Sequence, residues 1–131
     1  MDKKEIIKYW IDTSEQDYKT MLNLYKSGDY HWCLFLGHLV IEKLLKAIFV
    51  MNVDRHLPRI HDLLRLAELS KIETSEKQKD VLDLITTFNI SARYPDYKQS
   101  FYERCNKEFT SANIEKIKGL RTWLLSLIGK E

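Results

Sequence analysis

Residues 30–53 read YHWCLFLGHLVIEKLLKAIFVMNV, and the reading of this stretch decides the fold. On a helical wheel Cys33, Leu34, Leu36, Val40, Ile41, Leu44, Leu45, Ala47 and Ile48 fill one broad side. Trp32, Phe35, Leu39, Phe49 and Val50 carry apolarity well past it. A helix that is apolar nearly all round must be surrounded by neighbours. Tyr30–Val53 is therefore expected to be the buried centre of a helical bundle. Only a narrow polar ribbon is left over: His38, Glu42 and Lys46, each four residues after the last, with Lys43 on the other edge.

The flanking sequence supplies the neighbours. A first helix starts after Asp2, with Glu5 completing a capping box, and runs to about Lys26 before Ser27-Gly28-Asp29. Ile6, Trp10, Met21 and Leu24 share one of its arcs, and Asp17 projects into that arc as the discordant residue. After a connection over Asn52–Pro58, Pro58 suits the first turn of a short helix around His61–Leu69. A loop over Ser70–Ser75 leads to a fourth helix, Glu76–Ile90, striped by Val81, Leu84, Ile85 and Phe88. Ser91–Lys107 is expected to be irregular, with Pro95 breaking the helix. A last helix opens near Thr110 or Ser111 and runs to Ile128, with Ile114, Ile117, Leu120, Leu124, Leu127 and Ile128 on one face. There is no alternating β-branched run and no Asn-Gly or Asp-Gly hairpin. The expectation is an all-α, up-and-down bundle of four to five helices, forming one domain over 1–131.

Composition narrows the function classes. The chain has 131 residues with 44% apolar content, enough for one compact core. Twenty-one basic side chains against 19 acidic give a net charge of +2, so any nucleic-acid binding must rest on a local patch. The two cysteines, Cys33 and Cys105, lie far apart, as reduced thiols would. No apolar run reaches the roughly 18 residues of a membrane span, and no signal-peptide pattern is present, so a cytoplasmic protein is expected. The four glycines, at 28, 37, 119 and 129, form no phosphate loop, and there is no nucleophile elbow. Neither a metal nor a cofactor is expected.

Three clusters carry chemistry. In the ribbon His38-Glu42-Lys46, a histidine and a carboxylate four apart have metal-ligand spacing. The competing reading pairs Glu42 with Lys46 and leaves His38 packed with one hydrogen bond. In residues 55–62 (RHLPRIHD), His61 has the chemistry of a general base and Arg55 or Arg59 that of a phosphate holder. Alternatively Asp62 or His61 caps the short helix and the arginines are solvated. In residues 91–97 (SARYPDY), Arg93 is placed either to clamp Asp17 or Glu42 or to bind a phosphate.

Trp10 with Asp17-Tyr18, then residues 28–35 (GDYHWCLF), 41–47 (IEKLLKA), 61–63 (HDL) and 92–96 (ARYPD), resemble successive landmarks of the HEPN domain, the "higher eukaryotes and prokaryotes nucleotide-binding" domain. The similarity extends over about Trp10–Leu125. It implies a four- to five-helix bundle, a homodimer, and a nucleotide- or RNA-phosphate-binding groove near Glu42, Lys46, Arg93 and Asp96, with Asp17, His38 and Tyr94 as supporting polar groups. It also implies a nucleotidyltransferase partner, as in toxin–antitoxin pairs, and in some members a tyrosine such as Tyr94 or Tyr97 that the partner adenylylates. Many members are metal-independent ribonucleases with four to six residues between an Arg and the His that follows it. After Arg93 those positions hold Lys98, Gln99 and Ser100, which points to a catalytically degenerate binder. Arg55 and His61 do have the ribonuclease spacing, but they sit between the second and third helices. A ribonuclease using an Arg/His pair is the alternative.

Overall fold

The computed structural model describes residues 2–129, so Met1, Lys130 and Glu131 of the expected domain lie outside the described residues. It contains α1 (Lys3–Ser27), α2 (Tyr30–Asn52), α3 (Leu63–Leu69), α4 (Glu76–Arg93), α5 (Pro95–Arg104) and α6 (Lys107–Ile128), with no strand among the described residues. α2 touches every other helix. Its Cys33, Leu34, Val40, Ile41, Leu45, Ala47 and Val50 are fully buried, as a helix apolar all round requires.

The helix ends follow from local chemistry. The Asp2 carboxylate accepts from the Glu5 amide at 2.8 Å, completing the capping box on α1. Gly28 closes α1 in the left-handed conformation, φ 81°, so the chain reverses directly into α2.

Three expectations need correction, and each turns on proline or a cap. The bundle has six helices among the described residues rather than four or five, because Ser91–Lys107 is not irregular. α4 continues to Arg93, Tyr94 is extended (φ −94°, ψ 130°), and Pro95 then starts α5 at its first position. Proline is well tolerated there, since its missing N–H would have had no helical partner. Pro58 lies ahead of any helix; α3 begins at Leu63, where the Asp62 carboxylate accepts from the Arg65 amide at 3.1 Å. α6 starts earlier than expected, at Lys107, because Asn106 caps it by accepting from the Phe109 amide at 2.8 Å. Phe88 of α4 stacks on Phe101 of α5 with ring centroids 5.7 Å apart, which ties the additional helix to the core.

At Gly37 the Ile117 side chain of α6 packs directly against the α2 backbone. A β-carbon built there would stand 2.3 Å from Ile117 Cδ1 and 3.4 Å from Met21 Sδ. Gly37→Ala is expected to destabilise by about 1–2 kcal/mol through overpacking, despite alanine's better helix propensity. In an Ile117→Val background, where Cδ1 is gone, the same substitution should become neutral or stabilising. Urea midpoints of the four proteins measure that coupling, and additive effects would contradict the contact.

Candidate functional site

The polar ribbon of α2 meets the 55–62 cluster through His61. Glu42 is 3% exposed, at the middle of α2, and three groups face it. His61 Nδ1–H donates to Oε1 at 2.8 Å, Lys46 Nζ stands 3.1 Å from Oε2, and His38 Nε2 lies 3.7 Å from Oε1. Lys46 also sits over the Trp10 ring of α1, 4.7 Å from its centroid. Burial alone would raise the Glu42 carboxyl, but the His61 hydrogen bond and the Lys46 charge outweigh it and hold the group below its usual range. Glu42 is thus a buried anion with its charge answered.

His61 belongs to no helix, yet it is tied on three sides. His38 Nε2–H donates to its carbonyl at 3.2 Å, and its own ring is held by Glu42. Two residues on, the Leu63 amide donates to Thr86 Oγ1 at 3.0 Å, which anchors the segment to α4. With Nδ1–H committed to Glu42, Nε2 is the ring nitrogen left for another partner, and the side chain is 61% exposed.

That ring faces a groove of about 430 Å³ lined by His61, Asp62, Thr86, Asn89, Ile90, Arg93 and Tyr94. Thr86, Asn89 and Arg93 recur at helical spacing along one face of α4, and Arg93 Nη1 donates to Asn89 Oδ1 at 3.2 Å. Arg93 is exposed and keeps most of its guanidinium donors for a ligand. An oriented imidazole and an exposed guanidinium on one groove can hold an anionic oxygen and exchange a proton beside it.

The expected site residues separate into three groups. His61, Arg93 and Tyr94 line the groove, whereas Glu42, Lys46 and His38 stand behind it as supports. Asp96 and Arg55 are exposed and do not line it. The clamp from Arg93 to Asp17 or Glu42 is not formed: Asp17 is taken by Lys43 at 2.6 Å, and Glu42 by His61 and Lys46. Of the alternatives for residues 55–62, Asp62 does cap α3, and His61 is additionally drawn onto Glu42. No three side chains among His, Cys, Asp and Glu converge as a metal ion would need, among the described residues. Both cysteines are buried free thiols, and burial pushes Cys33 up to about 12 and Cys105 to about 11, which keeps them neutral. Thr86 and Asn89 are not among the residues expected from sequence, although their spacing with Arg93 is a usable signal.

His38 gives the fold a defined acid response. Its ring is fully buried, its Nε2–H is bonded to the His61 carbonyl, and Nδ1 has no hydrogen-bond partner among the described residues. Burial lowers its affinity for a proton below the usual 6.5, Glu42 opposing. An unfolded chain binds that proton below about pH 6.5 while the folded chain refuses it. This contribution to stability is therefore complete above pH 6.5 and declines as pH falls toward the folded value. His31 acts in the same sense, through burial and Lys98. Urea midpoints should fall as pH drops below about 6.5, and His38→Gln should make that fall shallower; an unchanged slope would contradict the role given to His38.

Among known proteins, a family model described as the HEPN domain matches residues 7–127. The crystal structure of TT1696 from Thermus thermophilus superimposes with a TM-score of 0.79 at 14% identity, covering 92% of this chain and 96% of that one. At that identity the likeness shows the fold alone. No curated protein matches the sequence.

Proposed function

The chain belongs to the HEPN domain family, and from that premise we propose that its His61–Arg93 groove binds the phosphate of a nucleotide or of RNA. The observation that carries this reading is the pairing on one groove of an exposed guanidinium with an imidazole oriented by a buried carboxylate. Arg93 takes the phosphate oxygens, His61 contributes its outer nitrogen, and Tyr94, 52% exposed at the rim, offers a face for a base or sugar. Calorimetric titration with adenosine 5′-monophosphate and with adenosine tests it. The monophosphate should bind at least about tenfold tighter, as one charge-assisted contact implies. Equal binding of the two would contradict the reading.

The family resemblance further supports a homodimer that partners a minimal nucleotidyltransferase, in a toxin–antitoxin-like pair. Ile90 and Tyr94, which line the groove, and Tyr97 on α5 are exposed and are the residues offered for such contacts.

The 2.8 Å bond from His61 to Glu42 favours a second, enzymatic reading. A histidine held by a carboxylate has the arrangement of a general base. His61 Nε2 would take the proton of a ribose 2′-hydroxyl, and that oxygen would attack the phosphorus as the bond to the 5′-oxygen breaks, the leaving oxygen taking its proton from water. Arg93 would stabilise the charge on the phosphoryl oxygens. Total RNA incubated with the wild type, His61→Ala and Arg93→Ala discriminates: cleavage by the wild type alone supports the ribonuclease, and equal RNA survival in all three ends it.

A further inference from the structure

At the other end of α4, far from His61, α4 and α6 part to leave an open groove of about 340 Å³. Val81, Leu120 and Trp123 form its apolar walls, Gly119 its floor, and Lys77 and Lys116 its rim. Gly119 is the informative residue. It lies well inside the 22-residue α6, it is exposed, and a β-carbon built on it would meet no atom within 4 Å. Its backbone is helical and Gly28 alone has positive φ among the described glycines, so α6 has no conformational need for glycine here. Glycine is the least favourable helix residue after proline. Neither packing nor backbone within this chain accounts for a glycine at this position. Its effect is to leave a flat patch of bare helix beside the Trp123 indole.

The rim sets the charge of the occupant. Glu115 also lines the groove, but its carboxylate faces Lys118 at 3.7 Å, whereas Lys77 and Lys116 are in no ion pair among the described residues and leave the rim net positive. The size sets its scale. A stable protein interface needs about 800 Å² from each partner, while clefts for small molecules begin at about 300 Å³. We propose that this groove binds a small planar aromatic carboxylate. The ring lies against Gly119 and the Trp123 face, and the carboxylate lies between Lys77 and Lys116. The site is separate from the His61–Arg93 groove and does not depend on the function assigned there.

Naphthalene-2-carboxylate, titrated into the full chain by calorimetry, is the probe, with naphthalen-2-ylmethanol as its neutral counterpart. Saturable binding at one per chain is expected, with the alcohol at least fivefold weaker and Arg93→Ala binding as the wild type does. Gly119→Ala should separate stability from binding. It should melt about 2–4 °C higher, as a glycine removed from a helix interior does, yet bind at least fivefold more weakly because its methyl group fills the floor. The Lys77→Gln, Lys116→Gln double variant should bind the carboxylate no better than the wild type binds the alcohol. The proposal is overturned by undiminished binding to Gly119→Ala, by equal affinity for acid and alcohol, or by no saturable binding, as when a second copy of the chain covers the groove.

Discussion

Glu42→Ala is expected to cost about 3 kcal/mol of folding free energy, the size seen when one member of a buried charge network is removed. The figure follows from what is left behind. His61 loses the group that holds its ring, Lys46 loses the anion 3.1 Å away, and a carboxylate-sized void opens on the central helix. Lys46 can turn to solvent, since its side chain is partly exposed, but His38 is fully buried and cannot. Glu42→Gln should cost about half as much. Its Oε1 still accepts from His61, but its amide then faces the Lys46 cation. The acid limb separates the two effects. The Glu42 carboxyl titrates below the ordinary 4.5 when folded, so its contribution is present above pH 4.5 and is lost as pH falls through the folded value. Glu42→Gln should flatten that limb while leaving in place the His38 decline that begins below about pH 6.5. Urea denaturation across pH measures both, and a loss under about 1 kcal/mol for Glu42→Ala would show that the network carries little energy.

Arg93→Ala should do the reverse, weakening phosphate binding by about tenfold or more while shifting stability by less than about 0.5 kcal/mol. The side chain is exposed, and its one hydrogen bond among the described residues goes to Asn89. A contact of the guanidinium with phosphate contributes about 1.5–3 kcal/mol, which sets the fold-change. Arg93→Lys should recover only part of it, because an ammonium cannot present the two parallel donors of a guanidinium. Calorimetry with adenosine 5′-monophosphate and parallel melting curves give the two numbers. An Arg93→Ala protein that binds normally would remove Arg93 from the site, and one that melts much lower would make it structural.

The legibility of this protein follows the range of its interactions. α1 and α2 can be read in full, because apolar periodicity, a capping box and a left-handed glycine are all local signals. α5 cannot, because proline is ambiguous in sequence: it ends a helix in the interior and begins one at the first position. Which applies at Pro95 depends on Tyr94 being extended and on Phe101 reaching Phe88. The site divides in the same way. The ribbon His38-Glu42-Lys46 is one helix face and is visible in the sequence. His61 is 19 residues from its partner Glu42, and no periodicity spans that separation. The pairing of His61 with Arg93 across one groove is equally invisible, since it depends on Thr86 pinning a non-helical segment to α4. Arg93 is legible as a cation in need of an anion, and Asp17 is the wrong one because Lys43 already neutralises it.

The most direct test of the phosphate groove uses the histidines as its own reporters. The chain has four, at 31, 38, 56 and 61; two are buried, His56 lies exposed on the segment leading to the groove, and His61 lines it. Nitrogen-15-labelled histidine spectra recorded while adenosine 5′-monophosphate is added should show the His61 ring nitrogens shifting to saturation and those of His56 unmoved, with the His61 shift abolished in Arg93→Ala. Equal movement of His56 and His61, or no movement of His61 at saturating nucleotide, would contradict the site.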